Sequence, residues 1–276
     1  MSGCYIAGTG HFRPGAPVPL SAFPESGGGD WPAARHHAGP EDGSIAMGIQ
    51  AAADALQNAG LSAAELDAAV VFSGMPDYEY PKDGNAIVYG LGAHSAACWN
   101  LDTACASFIS ALDAARLRIA AGDAQHVLVL MVMNWVRRGI DRSLDYRSTG
   151  DGAAAVIVSA GAPGCRGVRE ATHGEHFGYL ELPSPFARAD SGGPAPEPEA
   201  SESAEALPRF QFGQDPAHGR FLMSGCLSPA RALLRETDTA PESVDWFVAL
   251  QPGTRLPLFW AKSLGIPRER VRSSYD

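Results

Sequence analysis

Leu101-Asp102-Thr103-Ala104-Cys105-Ala106-Ser107-Phe108 lies where one hydrophobic period gives way to another, and that change decides the fold. Trp99 to Asp102 reads as a strand running into Cys105. Beyond the cysteine, Phe108, Leu112, Ala115 and Ile119 recur at helical spacing, and Gly122 supplies a stop. Working outward, Val127 to Met133 is a continuous apolar run, as a strand covered on both faces requires. Ala153 to Val158 is another. Upstream, Asn85 to Leu91 reads as a helix and Ala68 to Phe72 as a short buried strand. Ser44 is expected to cap a helix carrying Ile45, Ile49, Ala52 and Leu56 on one face and ending at Gly60. Cys4 to Thr9 opens the chain as a strand, and residues 13–43, rich in Pro and Gly, read mostly as loop. Strands alternating with helices predict an α/β fold with a largely parallel sheet.

The sequence also repeats itself. Ala63-Ala64-Glu65-Leu66-Asp67-Ala68-Ala69-Val70-Val71-Phe72 resembles Pro241-Glu242-Ser243-Val244-Asp245-Trp246-Phe247-Val248-Ala249-Leu250. Each stretch precedes a helix that closes on a Leu-Gly pair, Leu91-Gly92 and Leu264-Gly265. Two similar halves are therefore expected, residues 1–160 carrying Cys105 and residues 161–276. The second copy reaches Ser274-Tyr275-Asp276 about where its next helix would begin, so the second half is expected to be truncated, by fragmentation or with a partner chain completing it. Residues 190–206, built of Pro, Ala, Ser and Glu, read as a solvated mobile insertion.

Composition narrows the function classes. A net charge of −10 argues against nucleic acid, whose binding depends on clustered Lys and Arg. Arg137, Arg138 and Arg142 form a local basic group that reads as a solvated face. No apolar run approaches the roughly 18–20 residues of a membrane span, and the first residues lack a signal-peptide pattern. Five cysteines without metal-ligand spacing suit a reducing cytoplasm and predict no metal site. Cys105, between a strand and a helix, is placed either as a nucleophile activated by the helix N-terminus or as small inert core filling. Cys4, Cys98, Cys165 and Cys226 read as filling.

The segment Leu101 to Phe108 resembles the nucleophile segment of the ketoacyl synthase III family (3-oxoacyl-acyl-carrier-protein synthase III and its secondary-metabolism relatives). Ala7-Gly8-Thr9-Gly10-His11, Ala124 to Leu130, Arg147-Ser148-Thr149-Gly150-Asp151-Gly152-Ala153-Ala154-Ala155 and Val244 to Gln251 agree in order and spacing. The resemblance implies a five-layered αβαβα thiolase-like fold acting as a dimer. It implies transfer of an acyl group through a Cys105 thioester, from acyl-coenzyme A or acyl-carrier protein, in fatty-acid, polyketide or related secondary metabolism. No permanently bound cofactor is implied, since coenzyme A and phosphopantetheine thioesters are substrates. A thiolase or hydroxymethylglutaryl-type synthase would share the fold but match other segments.

Further roles follow from the same resemblance. Trp31 and Arg35 keep the separation of a Trp and an Arg that stack on the adenine of coenzyme A in the family. Arg255 matches a basic position that receives the carrier-protein phosphopantetheine arm. Leu250-Gln251 stands where the family has a His-Gln pair, and leucine offers no proton or hydrogen bond to an enolate. The family's catalytic Asn and a glycine-rich segment would fall beyond Asp276. His173, His176 and His218 could replace the missing His in space, though each reads more simply as a surface or core-edge residue. Two readings result: an acyltransferase with impaired condensation, or a catalytically incomplete subunit of a homo- or heterodimer with a related synthase.

Overall fold

The computed structural model describes residues 3–19, 34–135, 149–161, 164–181, 213–214, 216–253 and 255–274. Trp31, the Arg137–Arg138–Arg142 group and the 190–206 segment lie outside the described residues. In chain order the elements are β1 (Gly3–Phe12), β2 (Val18–Pro19), β3 (Ala34–Arg35), α1 (Ser44–Ala59), β4 (Ala68–Gly74), α2 (Gly84–Leu91), β5 (Ala97–Asn100), α3 (Ser107–Ala121), β6 (His126–Met133) and β7 (Gly152–Gly161). They continue with β8 (Leu180–Glu181), β9 (Gly213–Gln214), α4 (Pro216–Ser224), α5 (Leu227–Glu236), β10 (Phe247–Val248), α6 (Arg255–Leu264) and β11 (Val271–Arg272). The chain divides into two compact units: residues 1–18, 36–137 and 150–170, and residues 19–35, 138–149 and 171–276.

The first unit is built on a sheet ordered β1-β7-β6-β4-β5. The β4 strand pairs in parallel with β5 and β6, whereas β7 runs antiparallel to both β1 and β6. The sheet is thus mixed rather than largely parallel. An apolar run such as Ala153 to Val158 predicts burial but carries no information on strand direction.

Side-chain alternation splits β4 and β6 between two cores. Ala69, Val71, Leu128, Leu130 and Val132 face Met47, Ala51, Ala55 and Leu56 of α1 and Ile87 of α2. Ala68, Val70, Val127 and Val129 face Ala111, Ala115 and Ile119 of α3. Helices on both faces explain why these strands carry no polar alternation.

Helix ends follow glycine. Gly60, Gly92 and Gly122 are all left-handed C-caps, a conformation that costs L-residues with a Cβ. The N-terminus of α1 differs from expectation. Gly43 is its N-cap, and Ser44 lies inside the helix with its hydroxyl donating to the Met75 carbonyl at 3.1 Å. The buried face of α3 also differs, consisting of Ser107, Ala111, Ala115 and Ile119, while Phe108 is exposed.

In the second unit β10 and β11 form a two-stranded parallel ladder, Phe247 opposite Val271 and Val248 opposite Arg272. A small core of Ala261, Leu264 and Ile266 gathers Leu227, Ala230, Val244, Phe247 and Val271. Two side chains tie α6 to its neighbours. The Trp260 indole donates to the Leu222 carbonyl at 2.9 Å, and Arg231 donates to the Ser263 carbonyl at 2.9 Å. Among the described residues no helix is long and apolar enough to cross a membrane.

Candidate active site

Cys105 does not start α3. It is the middle residue of a single 3₁₀ turn, Ala104–Ala106, inserted between β5 and the helix. The turn begins with a strained residue: Ala104 has φ +52°, in the left-handed region. That conformation costs an alanine roughly 1–2 kcal/mol, so the surrounding contacts must hold it. Asp102 Oδ1 accepts from the Ala104 amide at 2.9 Å. The buried Ser107 hydroxyl accepts from the Thr103 amide at 2.9 Å and donates to the Ala104 carbonyl at 2.7 Å. Ser107 thereby closes the turn from the first residue of the helix.

A polar chain leads away from this turn. Thr103 Oγ1 and Ser110 Oγ lie 2.9 Å apart, and the Ser110 hydroxyl also donates to the Glu170 carboxylate. Upstream, the Leu101 amide donates to the Val71 carbonyl at 2.9 Å, and Asn100 Oδ1 accepts from the Gly84 amide at 3.0 Å. The segment before Cys105 is therefore tied to β4 and α2, and the segment after it to Glu170. The sequence marks Cys105 but not Asp102, Ser107, Ser110 or Glu170. Ser107 carries a local signal, as a hydroxyl at a helix start; Glu170 lies 60 residues from Ser110 and carries none.

The Cys105 side chain is exposed while its thiol lies against enough protein to lose hydration. Burial pushes the thiol pKa up, opposed by its own backbone amide. The sequence expectation of a thiol lowered by the helix N-terminus is thus not met, because burial outweighs the lowering by the backbone amide. Cys98 and Cys4 fit the reading as filling: Cys4 is buried, and burial pushes Cys98 up to about 11.

The remaining sequence candidates belong to the second unit. Arg35, half-buried, is the last residue of β3, and Arg255, exposed, is the first residue of α6. Leu250, half-exposed, follows β10 with no polar group to offer. Its neighbour Gln251 is structural: Oε1 accepts from the Ser274 amide at 2.9 Å and from the Ser273 hydroxyl at 3.1 Å, joining the segments that follow β10 and β11. His218 lies half-buried on α4. His173 and His176 pack their rings against Phe221 of α4, with centroids 5.3 and 4.8 Å apart.

Comparison with known proteins gives a family and a fold. Residues 99–174 match the 3-oxoacyl-[acyl-carrier-protein (ACP)] synthase III family, a span that contains Cys105 and its turn. The beta-ketoacyl-[acyl-carrier-protein] synthase III of Rhodobacter capsulatus is 31% identical over 247 residues, covering 86% of this chain and 71% of that protein. The Paracoccus denitrificans protein of the same name is 30% identical over 289 residues, covering 98% and 84%. Among solved structures, the priming beta-ketosynthase of the R1128 polyketide pathway superposes with a TM-score of 0.82 at 24% identity, covering 98% of this chain and 81% of that one. The 3-oxoacyl-(acyl carrier protein) synthase III of Pseudomonas aeruginosa PAO1 gives 0.79 at 23% identity, covering 99% and 83%. These likenesses give the fold as thiolase-like α/β.

Proposed function

The chain belongs to the beta-ketoacyl-[acyl-carrier-protein] synthase III family, and from that premise we propose that it transfers acyl groups through a thioester on Cys105. The observation that carries this reading is the exposed residue Cys105 on a strained, hydrogen-bonded turn between β5 and α3. In the first half-reaction the Cys105 sulfur loses its proton and attacks the carbonyl carbon of an acyl-coenzyme A or acyl-carrier-protein thioester. The new C–S bond forms as the old one breaks, and the departing thiolate takes up a proton. Cysteine suits both roles because it is a strong nucleophile and also a good leaving group when an acceptor attacks the acyl-enzyme.

The acceptor half-reaction is where this chain differs from the family pattern. Condensation with a malonyl thioester needs donors aimed at the developing enolate, each worth about 10²- to 10³-fold. Leu250 supplies none. Simple transfer of the acyl group to an oxygen, nitrogen or sulfur acceptor does not need that donor, so the preferred reading is an acyltransferase with little condensing activity. Trp31 and Arg35 are proposed to stack on the adenine of coenzyme A, and Arg255 to meet the phosphopantetheine arm of an acidic carrier protein. The setting proposed is cytoplasmic, in fatty-acid, polyketide or related metabolism, with the chain acting as a dimer.

The loss of the His at position 250 equally supports a partner subunit in a heteromeric condensing enzyme. Intact-mass measurement after incubation with acetyl-, malonyl- and longer acyl-coenzyme A separates the two. An acyl mass gain that disappears in Cys105→Ala supports the acyltransferase. No gain with any donor, combined with rescue of a related synthase on mixing, supports the subunit. Leu250→His is expected to raise carbon dioxide release from malonyl thioesters if condensation was lost at that position.

A further inference from the structure

We propose that His173, Glu175 and His176 form a binding site for one divalent transition-metal ion of borderline softness, of the zinc or nickel type. The three side chains bring one ligand atom each to within 4.8 Å of the others. His173 Nδ1 lies 3.3 Å from Glu175 Oε1, and His176 Nε2 lies 3.9 Å from the same oxygen. An ion held by bonds of about 2.0–2.2 Å sets its neighbouring ligands roughly 3–3.5 Å apart. The cluster therefore closes on an ion through small side-chain rotations.

The donor set selects the metal. Two imidazoles and one carboxylate favour zinc, nickel, cobalt or copper, whereas calcium and magnesium require oxygen-rich sites. The half-open position leaves further coordination sites to water.

What distinguishes the cluster from a chance grouping of surface charges is how its rings are held. His176 stacks on Tyr179, with centroids 4.5 Å apart and planes 9° from parallel. Phe221 of α4 meets both imidazoles edge-on, at 5.3 and 4.8 Å, and the two imidazoles lie within 18° of parallel. The backbone kinks at His176, with φ −108° and ψ 16°, inside the 3₁₀ segment Gly174–Tyr179. Ring orientation fixed by packing lowers the ordering cost that an exposed site otherwise meets. Metal bound here would lock this segment in the conformation that packs on α4. None of the five cysteines takes part, which is why cysteine spacing gives no sign of the site.

The test is a calorimetric titration of the metal-stripped chain with Zn²⁺ and Ni²⁺ in a non-chelating buffer. Thiols are first blocked with iodoacetamide, so that the exposed Cys105 and Cys226 do not compete. The expected result is one equivalent bound, weakened at least about tenfold by Glu175→Gln and by His173→Ala. A second measurement uses the unaltered sequence: Zn²⁺ should shield His173 and His176 from diethyl pyrocarbonate, read by peptide mass, while the exposed His11 stays reactive. Absence of saturable binding overturns the proposal. So does binding that is indifferent to both substitutions, or shielding that extends equally to His11.

Discussion

Two stretches of this chain are built to the same plan and end in different environments. In the first, a 3₁₀ turn (Ala63–Glu65) leads to β4, then α2, then β5 in parallel with β4. In the second, a 3₁₀ turn (Pro241–Ser243) leads to β10, then α6, then β11 in parallel with β10. Both helices close on a left-handed glycine, Gly92 and Gly265. The copies differ in what flanks the leading strand. The free edge of β4 is taken by β6, and Ala68 and Val70 are fully buried. Among the described residues β10 pairs with β11 alone, and Trp246 and Val248, the residues aligned with Ala68 and Val70, are each 69% exposed. Local pattern thus specifies strand, helix and turn, while burial is decided by neighbours distant in sequence. The buried copy is the one that leads into Cys105.

Paired substitutions sharpen or break this contrast. Val70→Asp places an unpaired charge in a closed core and is expected to cost about 4 kcal/mol or more. Val248→Asp should change stability by no more than about 0.5 kcal/mol. Equal losses in denaturant titrations would erase the distinction. Glycines give the next contrast. A Cβ at Gly84 would lie 2.7 Å from Asn100 Oδ1 and 2.9 Å from Cys98 Sγ, whereas at Gly253 it would meet nothing within 4 Å. Gly84→Ala should cost about 1–3 kcal/mol and slow acylation of Cys105 by disturbing Asn100, and Gly253→Ala should do neither.

A smaller contrast lies in the aligned aspartates. Asp67 Oδ2 accepts from the amides of Gln125 and His126, at 2.6 and 3.0 Å. Among the described residues the exposed Asp245 meets Arg270 alone, at 3.4 Å. Asp67→Asn should cost about 1 kcal/mol, measured by thermal unfolding, and Asp245→Asn a few tenths. The last contrast is a pH slope, absent at neutral pH. Cys98 aligns with Val271, and its thiol is raised to about 11 by burial. A folded-state pKa above the unfolded one gives stability that is present below the unfolded thiol pKa and lost as pH rises toward 11. The wild-type chain should lose stability over that range faster than Cys98→Val.

The elements were legible where one rule sufficed. Apolar runs gave β4, β6 and β7, and glycines marked the ends of α1, α2 and α3. What was illegible depended on long-range partners. The antiparallel course of β7 is set by the strands beside it, Ser44 serves the Met75 carbonyl rather than its own helix, and Phe108 is exposed despite matching the helical spacing. At the site, Cys105 was visible from its surroundings in sequence. The left-handed Ala104 was not, because nothing in the letter A signals torsional strain.

That torsion has an evolutionary consequence. Glycine at position 104 would relax the bend but leave the junction free to swivel, whereas alanine accepts the strain and narrows the choices. The bearing of the sulfur is therefore set by the partners that keep the strained residue in place, Asp102 and Ser107, and drift at either of those positions would re-aim it.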